Sequence, residues 1–379
     1  MFDSSRRWCV AFTLAASLTM MSAAQQPLAG DAPSDPGPLA KDISADLHSK
    51  AIRPAIRKVA EWQLARSTAQ PMARSWDWGV LDIGLVAASR TLGDGKFSNY
   101  VFSVGEHFNW HIEHTLAPAE DYALAQALMD VVNNNAKTTS AIRLRLDGDL
   151  QDPFDPDNPL WTRTDALFLE APAAAQLGAS TSDETYDGFV NREWHRTEKL
   201  LYDHQLHLFA TSQSALGQHE KNGKALFEAR ANGMAMAGLV RVLAALPSDD
   251  PLRPVYVDRL REMAQAVAAA QQPDGLWRPG LLDPASYPQP AVAGSSLIVY
   301  ALAWGITHHH LDARLYLPVV ERAWPGLLSH VYQDGRLGSI EPLGDVSIPY
   351  TASSCWNYGV GAFLLAAGEV DALSGHKHW

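Results

Sequence analysis

The stretch AASRTLGDGKFSNYV at 87–101 decides the fold, because it recurs in outline as AAAQLGASTSDETYDGFV at 173–190. In each, a small-residue helix ends at Leu-Gly, and a short loop then leads to an aromatic residue that opens the next helix. A second pair of signals, QQPDGLW at 271–277 and YQDGRLG at 332–338, marks helix ends followed by tight Asp-Gly turns. Outward from these points, apolar residues recur three and four apart, beginning with Ile43, Leu47, Ile52, Ile56, Val59, Trp62 and Leu64 in 42–66. The same period predicts helices at 77–92, 97–109, 119–135, 163–178, 184–203, 226–246, 252–271, 290–307, 314–332 and 353–372. Strand signatures are scarce, so the chain reads as all-α with eleven or twelve helices. Each helical hairpin alone leaves an apolar face uncovered. Closing about six of them into a ring buries the inner helices and leaves a mouth lined by loops. The expected architecture is a toroid of about six helical hairpins. An open solenoid would show a more uniform repeat length.

Composition supports a globular chain. Of 379 residues, 47% are hydrophobic and 19% charged, which supplies a large core and too little charge density for disorder. The formal charge of −12, with no basic block, argues against a phosphate-tracking nucleic-acid surface. Arg6 and Arg7, the apolar run Trp8–Met21 and the small residues Ser22-Ala23-Ala24 read as a secretory signal over 1–24. That apolar run is too short to span a bilayer. An exported protein, periplasmic or secreted and without a membrane segment in its mature form, is expected. Residues 25–40, rich in Pro, Gly, Ala and Asp, read as a flexible leader, and 41–379 as one helical domain. Cys9 lies in the signal, so Cys355 is the one cysteine left and reads as a small buried hydrophobe. No oligomerisation segment stands out, and a monomer is expected.

Candidate chemistry lies where the loops meet the ring. Trp76, Trp78, Trp110, Trp161, Trp194, Trp277, Trp304 and Trp356 cluster near proposed loops, and aromatic faces stack on sugar rings. A carbohydrate ligand follows, although a tryptophan taken singly is more often core. In PAEDYALAQALMDVV, Glu120 and Asp121 occupy the first turn of a helix, where the dipole favours carboxylates whatever their function. In LWTRTDALFLEAP, Asp165 precedes the apolar run Ala166–Leu169. An acid against such a wall holds its proton to higher pH and suits general-acid work; the alternative is a helix-capping carboxylate. Arg230 is the one cation in its Ala-, Gly- and Met-rich stretch. It suits a bidentate grip on a substrate carboxylate, or an ion pair with Glu228. His107, His111 and His114 are spaced i, i+4, i+7, but Trp110 and the following Leu-Ala-Pro favour a helix end over a metal site. No phosphate loop, serine elbow or Cys-His pair stands out.

These residues resemble the unsaturated rhamnogalacturonyl hydrolases of glycoside hydrolase family 105, related to the unsaturated glucuronyl hydrolases of family 88. The carriers span most of 45–372: WDWGVLDIGLVAASRTLGD, AEDYALAQ, WTRTDALFLEAP, NGKALFEARANGMAMAGLVRVLAALP, QQPDGLWRPGLLDPASYPQP, VYALAWGI, DGRLG and YGVGAFLLA. The resemblance implies a single (α/α)6 barrel that removes a 4,5-unsaturated uronic acid from the non-reducing end of lyase-generated oligosaccharides, pectic rhamnogalacturonan-like ones first. It implies acid/base hydration of the double bond, with no metal and no organic cofactor. Position by position, the acid/base aspartate falls on Asp165, the second acid on Glu120 with Asp121 beside it, and the arginine on Arg230. Tyr122 stands where the family has His, and Met234 where it has a sugar-stacking Trp. Substrate contacts are thus expected from Arg230, Trp161, Tyr122, Trp78, Trp277 and Met234. Two other readings remain open at this point: a barrel glycosidase acting on a saturated uronide or another glycan, and an inactive glycan-binding relative.

Overall fold

The computed structural model describes residues 28–112, 118–132, 136–150, 160–344 and 346–375. The expected signal at 1–24, the first leader residues and His114 lie outside the described residues. The helices are α1 (Ser49–Thr68), α2 (Trp76–Leu92), α3 (Lys96–His107), α4 (Pro118–Val132), α5 (Ala136–Leu150), α6 (Ala166–Leu169) and α7 (Ala171–Thr181). They continue with α8 (Glu184–Leu201), α9 (Ala229–Ala245), α10 (Arg253–Ala270), α11 (Val292–Thr307), α12 (Ala313–Leu328) and α13 (Asn357–Gly375). Counting α6 and α7 as one interrupted helix, outer and inner helices alternate along the chain, and six inner helices form a closed ring. Going round it, α2 packs on α4, α4 on α6 and α7, these on α9, α9 on α11, α11 on α13, and α13 back on α2.

The inner helices are apolar nearly all round because they are covered all round: every residue of α11 from Val292 to Ile306 is buried. Outer helices bury one stripe, as in α8, where Tyr186, Phe189, Val190, Trp194 and Leu201 face inward. Close approach inside the ring depends on glycine. A Cβ on Gly84 of α2 would lie 2.5 Å from the Gly361 carbonyl oxygen of α13, and one on Gly233 of α9 would lie 2.8 Å from the Gly294 carbonyl oxygen of α11. These contacts also set direction. Starts lie beside starts, as with Gly294 against Ala229, and ends beside ends, where Arg241 of α9 reaches Asp130 of α4 at 2.8 Å. All six inner helices therefore begin at one mouth.

The stretch expected as one helix at 163–178 is broken. Pro172 has no N–H to give to the Phe168 carbonyl four residues back, and the chain kinks at Glu170. Gln126 of α4 supplies the missing donor, its Nε2 lying 2.8 Å from Phe168 O and 2.9 Å from Leu169 O. Helix α5 falls in a stretch where no helix is expected from the pattern, and α1 begins at Ser49 rather than near 42.

From Leu28 onward the leader is hydrogen-bonded to the barrel. Leu28–Gly30 pairs in parallel with Tyr350–Cys355. Arg336 Nη2 donates to Pro36 O (2.6 Å), Gln333 N to Pro38 O (2.9 Å), and Arg66 pairs with Asp31 at 2.9 Å. A proline-rich chain forms no helix, yet its carbonyls remain good acceptors, and the barrel supplies the donors. No helix of the described residues is long and apolar enough to cross a membrane.

Candidate active site

Because the inner helices start together, their first turns bring Trp76, Glu120, Asp121, Asp165, Glu228, Arg230, Trp356 and Tyr358 to the mouth. Asp165 stands at the N-cap position of α6, its side chain making no cap hydrogen bond, and is held from two sides. The segment before it bridges to 210–212 through Thr164 N to Thr211 O (3.0 Å) and Thr164 Oγ1 to Ala210 O (2.6 Å). Its carboxylate accepts from Arg163 Nε at 3.2 and 3.1 Å, and 27% of the side chain is exposed. The apolar wall expected beside it is therefore replaced by a guanidinium, because Ala166–Leu169 turn their side chains into the core.

The carboxyl that burial does hold protonated is Glu170, five residues on. It is pushed up to about 8, first by burial and then by Asp149 and Asp165, with Arg145 pulling the other way and the Trp161 indole donating to it. Sequence reasoning missed this acid, although Glu170 stands in plain view ahead of Ala171-Pro172, the pair that ends the helix. It also missed Arg145 and Asp149, which come from α5.

Asp121 is at the mouth but is not available to substrate. It is 3% exposed, and Arg145 Nε donates to its Oδ2 at 3.2 Å. Arg145 also holds Asp149 at 2.5 Å, and Tyr122 donates its hydroxyl to the other oxygen of Asp149. Tyr122 is 1% exposed, so it braces this network rather than facing a sugar. Glu120 lies half-buried in the same turn.

Arg230 lies in the first turn of α9, with Asp165, Glu341 and Tyr358 among the groups acting on it. Its Nη2 lies 3.3 Å from Glu228 Oε2 and donates to Gly344 O at 2.7 Å, so the expected ion pair with Glu228 forms. Glu341, whose backbone follows the helix-ending turn, accepts from Ala293 N (3.1 Å) and Gly294 N (2.8 Å) and so caps α11. The cavity at Arg230 is only about 20 Å³ and is lined by Glu228, Ala291, Glu341 and Tyr350. That is room for a water, not a sugar. Beyond its wall of Pro279, Val346, Ile348 and Tyr350 opens a cleft of about 400 Å³. The cleft is bounded by the 218–226 hairpin and by Ser286–Gln289.

The expected aromatic and methionine contacts are core side chains. Trp277 has no exposed surface, and its indole donates to Val267 O at 2.7 Å. Trp161 packs edge-on against Phe189, while Trp78 and Met234 are 9% and 2% exposed. The inner ring needs large apolar side chains near its ends as well as its centre, and these fill that role. Trp76, tilted against Tyr358 with centroids 5.3 Å apart, and Trp356 keep part of their surface at the mouth. Helix α3 ends at His107, and Asn109 and Trp110 take positive φ, so His111 leaves the helical face. Among the described residues no group of His, Cys, Asp or Glu could hold a metal ion.

Comparisons with known proteins agree with this fold. Residues 55–373 match Glycosyl Hydrolase Family 88. An "unsaturated 3S-rhamnoglycuronyl hydrolase" of Formosa agariphila is 29% identical over 348 residues, covering 86% of this chain and 92% of that one. The solved structure of a family 88 glycosyl hydrolase from Bacteroides vulgatus is 26% identical, with a TM-score of 0.79 over 85% of this chain and 98% of that one. Another, described as a polysaccharide lyase, is 29% identical with a TM-score of 0.77 over 85% and 96%. With the family matched over most of its length and its fold shared, the chain belongs to glycosyl hydrolase family 88 and is a glycoside hydrolase.

Proposed function

We propose that this enzyme removes a 4,5-unsaturated uronic acid from the non-reducing end of oligosaccharides left by a polysaccharide lyase. The observation that carries the reading is that Asp165 and Arg230 stand at the starts of two inner helices, α6 and α9, at the same mouth, where their charges act on one another. Arg230, held by Glu228 and Gly344 O behind a cavity that fits only a water, draws the uronate carboxylate toward the mouth through its field rather than by enclosing the sugar. Asp165 then gives a proton to C4 of the double bond, and water adds at C5 and returns a proton to the carboxylate. The resulting hemiketal opens and releases the leaving sugar. This chemistry needs one acid that can also act as a base. For the leaving sugar we favour a rhamnose bearing a 3-sulfate over the pectic sugar that the sequence resemblance puts first, on the strength of the name of the Formosa relative. The Arg6-Arg7 signal supports action after export, as a monomer on soluble oligosaccharides.

The test is the ultraviolet absorbance of the conjugated double bond with purified protein. Lyase products of sulfated rhamnoglycuronan, of pectin and of glycosaminoglycan are the substrates. Decay with the sulfated rhamnoglycuronan product supports the reading, and decay with the pectic product alone moves the leaving sugar back to pectin. A rise on intact polysaccharide would instead mean elimination, the reaction of a lyase.

A further inference from the structure

The chain enters α13, the helix that closes the ring, through the strand Tyr350–Cys355 and then Trp356. Tyr350 lines both the small cavity at Arg230 and the larger cleft, and its hydroxyl donates to Pro290 O at 3.0 Å. Trp356 keeps part of its surface at the mouth. Two carbonyls of the strand are bonded within the barrel, Ser339 N donating to Ala352 O (2.9 Å) and Ile340 N to Ser354 O (3.0 Å). The other edge is covered by the leader, with Leu28 opposite Tyr350 and Gly30 opposite Cys355.

Two devices fix the leader there. Asp31 N donates to Cys355 O at 2.7 Å, and the Asp31 carboxylate is held at 2.9 Å by Arg66, in the last turn of α1. Just before it, Gly30 takes φ +59°. A Cβ at that position would lie 2.1 Å from Cys355 O and 2.7 Å from Cε2 of the Trp356 indole, so only glycine lets the leader lie against that ring. The second device is Arg336, which has no exposed surface. Its Nη1 donates to Ser353 O at 2.8 Å and its Nη2 to Pro36 O at 2.6 Å, while the guanidinium lies 3.6 Å over the Tyr332 ring. A planar fork reaches two carbonyls at once, which an ammonium on a flexible stem does not match.

We propose that the leader at 28–40 is part of the substrate-binding mouth, and that Arg336 is a positioning residue that acts through Tyr350 and Trp356 by clamping the leader to the strand between them. The uronate end is drawn toward Arg230, and the Tyr350 wall and the Trp356 indole set where the sugars beyond it lie. The choice of substrate rests on the hydration reading above. The hold of the leader on the wall does not.

Gly30→Val in the full chain puts a branched side chain where the Cys355 carbonyl and the indole stand. KM for a lyase-generated unsaturated oligosaccharide is expected to rise about tenfold or more, with kcat changed less. Hydrogen–deuterium exchange over 350–356 is expected to quicken by about tenfold or more, while α9 and α11 exchange as in the wild type. Arg336→Lys keeps the charge and reaches one carbonyl in place of two, and is expected to fall between the wild type and Arg336→Met in both readings. A KM within about twofold of the wild type, with or without a fall in kcat, overturns the proposal, because general loosening of the fold lowers the active fraction and leaves KM alone. Exchange that quickens over 28–36 but not over 350–356 also overturns it. If Gly30→Val does not fold, Arg336→Lys decides on the same two readings. If the wild type turns over no unsaturated uronide, the hydrolase reading falls, and exchange over 350–356 still decides whether the leader holds the wall.

Discussion

Arg145 and Asp121 meet with Nε 3.2 Å from Oδ2, their side chains 2% and 3% exposed. A pair this deep owes little to surface Coulomb attraction; its significance is that neither charge is tolerated alone. Removing one partner from a buried pair costs about 3–5 kcal/mol, because the other is left uncompensated. In Asp121→Ala, Arg145 keeps its pair with Asp149, so the loss of unfolding free energy in urea titration is expected to fall below that range, at about 1–3 kcal/mol. A variant of full stability that has lost turnover would instead place Asp121 in the chemistry.

The ring closes through glycine. A Cβ on Gly361 would lie 2.2 Å from the Val80 carbonyl oxygen, a backbone atom that cannot swing away. Gly361→Ala is expected to cost about 1–3 kcal/mol through forced separation of α2 and α13. Gly188, on outer helix α8, has nothing within 4 Å of its Cβ position. Gly188→Ala should stabilise by up to about 1 kcal/mol from helix propensity alone. Paired denaturant melts check the opposite signs, and equal effects would contradict the inner and outer assignment.

His330 provides a pH dependence separate from the site. Burial, with Arg278 adding to it and Asp274 opposing, lowers it from 6.5 to about 4. The folded state resists a proton that the unfolded chain accepts. The stability this group contributes is thus present above pH 6.5 and lost as pH falls toward about 4. Acid-range Tm measurements should show a shallower loss in His330→Gln than in the wild type. Parallel curves would remove His330 from the account.

Much of the ring was legible because inner helices are written in Ala, Gly and aliphatic residues, α2 ends at Leu92-Gly93, and Asp-Gly turns follow the outer helices α10 and α12. Helix α5 was not. Thr138, Thr139 and Ser140 favour other conformations, and Gly148 between Asp147 and Asp149 reads as a turn, so tertiary contact rather than propensity holds it helical. Missing α5 meant missing Arg145 and Asp149, and with them the reason Asp121 and Tyr122 face inward. The tryptophans misled for another reason. An indole at a mouth and an indole in a core look alike in sequence, and only the Val267 carbonyl partner of Trp277 separates them. Asp165 and Arg230 both stand at the starts of inner helices, whereas the place of Glu170 depends on a helix break that periodicity does not encode.

The central claim is that Asp165 is the proton donor and base for hydration of an unsaturated uronide. The direct measurement is the decay of double-bond absorbance catalysed by wild type and by Asp165→Asn, on one lyase-generated substrate, with far-ultraviolet circular dichroism confirming an equal fold. The account predicts a kcat lower by about 10²–10⁴-fold in the variant at unchanged helicity. A folded Asp165→Asn protein that consumes the double bond at the wild-type rate would contradict it.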